Sequence, residues 1–198
     1  MEKKVVFYSV NDYAGLLGIA GFSETLLVNH FKLYQGYVKN INLVLEKLNA
    51  LTSEGKDRGP EYGELKRRFG WEFNGMRLHE YYFENLGGQE PINQGSSLYK
   101  KIAESFGSFD VWKQDFVSTG SMRGIGWAIL CQDLPGGQLF NVWVNEHASG
   151  HLAGAKPILA LDAFEHSYFT DYQLERGKYI EAFFNNINWE KAASRLVA

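Results

Sequence analysis

Five histidines are spread along the 198 residues, His30, His79, His147, His151 and His166, and each sits among apolar or aromatic neighbours rather than in a charged loop. A buried neutral imidazole needs partners for its ring nitrogens, and a metal ion is one partner for the acceptor lone pair. Taken singly, each histidine reads more simply as a hydrogen-bonded core or surface residue. The segment Ile158–His166 changes the balance, because Asp162 follows an apolar run directly and His166 comes four residues later. A carboxylate leaving a buried strand is costly without a cation, and an i, i+4 partner at a helix start faces the same side. Adding His30 and His79 gives three imidazoles and one carboxylate around a single ion. Zinc, iron and manganese all accept such donors, and ligand type alone does not choose among them.

Helices and strands must carry these residues to one point. Ser23 is a good N-cap, and Leu26, Leu27, His30, Leu33, Tyr34, Tyr37, Val38, Ile41, Leu45 and Leu48 recur at helical spacing until Thr52–Gly55. Lys56–Glu64 reads as a charged turn, and a second helix is predicted from about Phe73 to Leu86 through Met76, His79, Tyr82 and Phe83. Together they make an antiparallel hairpin. The Gly/Pro/Ser-rich stretch Gly87–Ser97 is the clearest break in the chain, so residues 1–88 are expected to form a helical-hairpin domain and 89–198 a second domain. In the latter, short helices are predicted at Leu98–Phe106 and about Asp110–Thr119. Strands follow at Gly126–Cys131, Leu139–Val144 and Pro157–Leu161, then helices at Ala163–Tyr172, Lys178–Asn185 and Trp189–Val197. The class is α+β, with a small antiparallel three-stranded sheet.

Composition narrows the function classes. With 20 Lys+Arg against 23 Asp+Glu the formal charge is only −3, so no global basic field exists to hold nucleic acid. Cys131 is the single cysteine, which removes intramolecular disulfides and cysteine zinc sites and points to a reducing compartment. No secretory signal is legible where Glu2, Lys3 and Lys4 lead into Val5–Tyr8, since Asn11 and Asp12 interrupt the apolar run. Gly15–Phe22 is far short of a membrane span, so a cytoplasmic protein is expected. Trp, Tyr and Phe make up 15% of the chain and cluster around the histidines, enough to wall off a dry pocket.

The stretch Asp162-Ala163-Phe164-Glu165-His166 resembles the Asp-x-Trp/Phe-Glu-His signature of the iron/manganese superoxide dismutases. The likeness continues through Tyr172, Arg176, Lys178–Ile180 and Asn188-Trp189. It extends back to Gly124–Ala128, to His79-x-x-Tyr82-Phe83-x-x-Leu86, and to Ser23, His30 and Gly36-Tyr37-Val38. The resemblance implies one iron or manganese per subunit, held by His30, His79, Asp162 and His166 with solvent at a fifth position. It also implies an enzyme that converts superoxide to oxygen and hydrogen peroxide. Many members use a Gln beside the metal-bound solvent, either four residues before the second His or on a strand-end loop. This chain has Gly75 and His147 at those places, resembling the archaeal and mycobacterial-type members, with Gly75 leaving space for a donor from the other side. Trp127 matches the aromatic pocket wall, and Glu165 the acid that bridges to His166 of the partner subunit, which implies a homodimer. The residues do not choose between dimer and tetramer, and His151 has no assigned role. Arg176 and nearby lysines are expected to help attract the superoxide anion.

Two departures stand out against the family pattern. Relatives place a histidine four residues and a gateway tyrosine eight residues after the first ligand, whereas here the series is His30, Tyr34, Tyr37. One residue is missing. An i, i+4, i+7 series still occupies one helical face, so the chain is expected to lack a π-bulge that its relatives carry and to keep Tyr37 at the pocket mouth. The helix should be continuous from Asn29 to Val38, with His30 rather than Asn29 at the metal. In addition, Tyr34 replaces the outer histidine and Phe169 replaces its tyrosine partner across the interface. Changing both members of a hydrogen bond strands neither. These changes leave an alternative open, a zinc-bound protein of the same fold without redox activity.

Overall fold

The computed structural model describes residues 6–197, so Glu2–Val5 of the N-terminal stretch lie outside the described residues. Helix α1 runs over Glu24–Ser53 without interruption, starting where Ser23 Oγ accepts a hydrogen bond from the Leu26 amide. Helix α2 spans Pro60–Glu84 and packs antiparallel on α1. The expected turn at Lys56–Glu64 is therefore too long. Pro60 stands at the first helical position, where its missing N–H costs nothing, and the charges after it form a solvated helical face rather than a loop. Leu26, Leu27, Val38 and Ile41 from α1 meet Met76, Leu78, Tyr82 and Phe83 from α2, all buried. Each such side chain contributes about 1.5–3 kcal/mol through burial.

After the linker come α3 (Ser97–Phe106) and α4 (Phe109–Gly120), then β1 (Gly126–Asp133), β2 (Leu139–Asn145) and β3 (Ala155–Asp162). The sheet is antiparallel in the order β2-β1-β3. Its register sets Trp127 opposite both Asp162 and Val144, so Trp127 and Asp162 share one face. α2 packs against β3. The helix expected over Ala163–Tyr172 is instead a 3-10 turn at Glu165–Ser167 followed by a short α5 at Phe169–Tyr172. Local bonds explain the break: Asp162 Oδ1 accepts from the Phe164 amide at 2.9 Å, and Ser167 Oγ donates to backbone carbonyls at Asp162 and Phe164. The chain closes with α6 (Arg176–Asn185) and α7 (Trp189–Ala193). Among the described residues no helix is long and apolar enough to cross a membrane.

Candidate metal centre

Four elements deliver four side chains to one point. His30 comes from the middle of α1, His79 from α2, Asp162 from the last residue of β3, and His166 from the 3-10 turn behind it. One ligand atom from each lies within 4.8 Å of the others. The Nε2 atoms of His166, His30 and His79 stand 3.0, 3.2 and 3.6 Å from the single oxygen Asp162 Oδ2. His30, His79 and Asp162 are fully buried, whereas the His166 ring keeps 29% exposure.

The hydrogen-bond arithmetic calls for a cation here. His79 Nδ1 lies 2.6 Å from the Gly75 carbonyl, which only accepts, so Nδ1 carries the proton and neutral His79 presents a bare lone pair at Nε2. That lone pair is buried without a partner and faces a carboxylate oxygen, an arrangement of two acceptors that a positive ion between them resolves. His30 Nδ1 is also buried and without a hydrogen-bond partner. Burial lowers the pKa of His30, and lowers that of His79 well below the ordinary value, which keeps both imidazoles available as neutral donors. Burial opposes ionisation of Asp162, but the His166 and His30 rings outweigh it and hold the carboxyl well below the usual range. Three imidazole nitrogens and one carboxylate suit iron, manganese or zinc.

Residues 93–195 match the family model described as iron/manganese superoxide dismutases, C-terminal domain. A manganese superoxide dismutase of Haloferax volcanii is 39% identical over 175 residues, spanning 87% of this chain and 85% of the relative. An iron superoxide dismutase of Cupriavidus metallidurans is 37% identical over 183 residues, 91% of each chain. An iron superoxide dismutase of Saccharolobus solfataricus is 35% identical over 170 residues, 82% of this chain and 79% of the relative. The chain belongs to the iron/manganese superoxide dismutase family.

Within this dismutase-family fold, α1 is α-helical from Asn29 to Val38, His30 points into the cluster and Asn29 is exposed, as the shortened spacing predicts. Tyr37 reaches His147, with Oη to Nε2 at 2.7 Å, while Trp127 Nε1 donates to His147 Nδ1 at 3.0 Å. Since an indole N–H only donates, neutral His147 must carry its hydrogen at Nε2 and give it to Tyr37 Oη. The Tyr37 hydroxyl hydrogen is then free of His147. Burial pushes the His147 pKa down to about 4 and the Tyr37 pKa up, so the imidazole stays neutral and the phenol stays protonated. His147 is aimed inward by a tight turn after β2, in which Glu146 takes φ 53°, a left-handed conformation rarely held by a side-chain-bearing residue without a local demand.

The space left by Gly75 is put to another use than expected. A Cβ there would stand 2.5 Å from the Tyr37 ring, so the glycine makes room for the tyrosine itself and not for His147. Tyr34, buried, turns away from the cluster: its hydroxyl donates to Glu80 Oε1 at 3.0 Å and accepts from the Asn11 amide at 3.1 Å. Phe169 is 49% exposed and Glu165 is exposed. Arg176 is held in place by the Met122 and Gly124 carbonyls and the Tyr168 hydroxyl, so it clamps a loop, and these neutral acceptors leave its positive charge uncompensated. His151 is exposed and bonded to the His147 carbonyl.

Three neighbours escaped the sequence reading. Phe164 stacks between His147 and His166, Trp71 sets its ring edge-on to His147 at 4.9 Å, and Arg68 lies over Trp71 at 5.3 Å. Phe164 sits inside the signature and was legible from it. Trp71 and Arg68 precede the α2 boundary assigned from periodicity, and with a loop expected nearby nothing marked them.

Proposed function

We propose that this chain is a superoxide dismutase in which His30, His79, Asp162 and His166 hold one iron or manganese ion per subunit. The convergence of three imidazoles on Asp162 Oδ2, with His79 offering an unpartnered lone pair, carries this reading. Iron or manganese, when bound, supplies the one-electron couple that oxidises one superoxide and reduces the next. Forming peroxide also consumes two protons, and Tyr37 Oη is where this chain holds one. Trp127 fixes the His147 tautomer, His147 donates to Tyr37, and the freed phenolic hydrogen faces the pocket.

We further infer a cytoplasmic homodimer, divided into a hairpin domain of residues 1–88 and a second domain of 89–198. The exposed Glu165 beside the partly exposed His166 ring supports a partner at that edge. The break is supported by the stretch without helix or strand between Glu84, where α2 ends, and Ser97, where α3 begins. The zinc-bound alternative is not favoured, because the relatives quoted above are named for iron or manganese. Metal analysis of purified protein with a superoxide consumption assay tests the proposal. Iron or manganese near one equivalent with turnover is expected, and zinc at full occupancy without turnover would overturn it.

A further inference from the structure

We infer that the guanidinium of Arg68 is the receiving charge for small anions at the mouth of the pocket leading to Tyr37. Three contacts in series connect it to Tyr37. Arg68 lies over the Trp71 ring, Trp71 abuts His147, and His147 is bonded to Tyr37. On its other side Arg68 Nε donates to Glu72 Oε1 at 2.6 Å. The ion pair is lopsided, with 56% of the arginine side chain exposed against 3% of the glutamate. A pair oriented in this way turns its positive end to water and keeps its negative end under the helix surface, so nearby anions meet the cation first.

The chemistry favours Arg68 over Arg176. The Arg176 guanidinium is engaged with two carbonyls and a tyrosine, whereas Arg68 has a single carboxylate partner and the rest of its donor fork open to solvent. At Tyr37 the raising effect of Glu72 outweighs the lowering effect of Arg68, so the pair would draw anions by its exposed end and not by its field at the phenol. Glu72 Oε2 is buried without a hydrogen-bond partner, so Glu72 depends on Arg68 and anchors it. The natural anion being superoxide rests on the dismutase reading; the receptor role does not.

Azide, a small linear anion, serves as the probe on iron-loaded protein, titrated by visible absorption alongside superoxide turnover. At an ionic strength of about 0.01 M, where the Debye length is roughly 30 Å, Arg68→Gln should weaken azide binding and slow turnover by about threefold to tenfold. The gap should close near 1 M, where screening falls to roughly 3 Å. Arg68→Lys should stay within about twofold of the parent. Arg67→Gln removes the same charge one residue away, from a side chain paired with Glu64 on the exposed surface, and should leave azide affinity unchanged. Because Arg68→Gln strands the Glu72 carboxylate, the double variant with Glu72→Gln provides a net-charge-neutral arm, and it should weaken azide in the same direction though less. Equal azide affinity in parent and both Arg68→Gln variants at low salt, or an equal loss in Arg67→Gln, overturns the inference while turnover upholds the dismutase reading. Azide binding with the expected variant pattern but no turnover overturns the dismutase reading alone. A chain that holds no iron overturns the dismutase reading, and azide binding is then followed by calorimetry on the metal-free parent and variants, where equal affinity still overturns the receptor role.

Discussion

The buried cluster and the pocket mouth are built on opposite terms. At the cluster, His30, His79 and Asp162 converge with few other partners and the His79 lone pair at Nε2 has none, an arrangement suited to a shared cation. At the mouth, Tyr37, His147, Trp127 and Gly75 satisfy one another through hydrogen bonds and close packing, with every change matched by a neighbour. Substitution in the cluster is therefore expected to cost more than coordinated substitution around Tyr37. In α1, His30 enters the cluster while the Tyr37 ring packs over Gly75 and the Tyr34 hydroxyl bonds Glu80 and Asn11.

That contrast orders the expected effects of perturbation. Asp162→Ala or His79→Ala should abolish stoichiometric metal binding, measured by elemental analysis, and reduce turnover by more than the roughly 10–100-fold typical of outer partners. Retained stoichiometric metal in either variant would break the distinction between the two regions. In metal-free protein, the depressed pKa of His147 makes stability pH-dependent. Between its ordinary value of 6.5 and about 4 the unfolded chain binds the proton that the fold refuses. The contribution is complete above the upper value and is lost as pH falls through the lower one, at most about 3 kcal/mol. Urea unfolding of metal-free parent and His147→Gln should show stabilities that converge as the medium is acidified; a constant gap contradicts this.

Tyr37→Phe should leave metal content intact and cut turnover by about 10–100-fold, because only the proton at Oη is removed. Undiminished turnover would take Tyr37 out of the reaction. Gly75→Ala should cost about 1–3 kcal/mol in thermal or urea unfolding, since the Tyr37 ring must yield to the new methyl group. Smallest of all, Phe169→Tyr should change stability by less than about 0.5 kcal/mol, because residue 169 is exposed and the Tyr34 hydroxyl is already engaged by Glu80 and Asn11. A marked gain in stability from that single change would contradict this.

What was legible in the residues follows the same division. The ligands could be read because Asp162 and His166 are close in sequence after an apolar run, and because His30 and His79 lie on strongly patterned helices. The three strands were visible for a similar reason, as apolar segments between glycine-rich turns. The mouth was only partly legible. Trp127 and His147 could be named, but their hydrogen bond depends on the β2 turn at Glu146 and on the β1–β3 register, which no local pattern encodes. The first three turns of α2 were hidden because a helix with one solvated face, begun by Gly59-Pro60, has the composition of a loop. Arg68 and Glu72 were lost with it. The Ala163–Tyr172 helix failed through side-chain competition, since Asp162 and Ser167 take local backbone partners that tighten the turn.

The most direct test of the whole account is a crystal of the purified protein measured on both sides of the iron and manganese absorption edges. One anomalous peak at an iron or manganese edge is expected, enclosed by His30 Nε2, His79 Nε2, Asp162 Oδ2 and His166 Nε2. A peak at only the zinc edge, a metal bound elsewhere, or Asn29 in the place of His30 would contradict it.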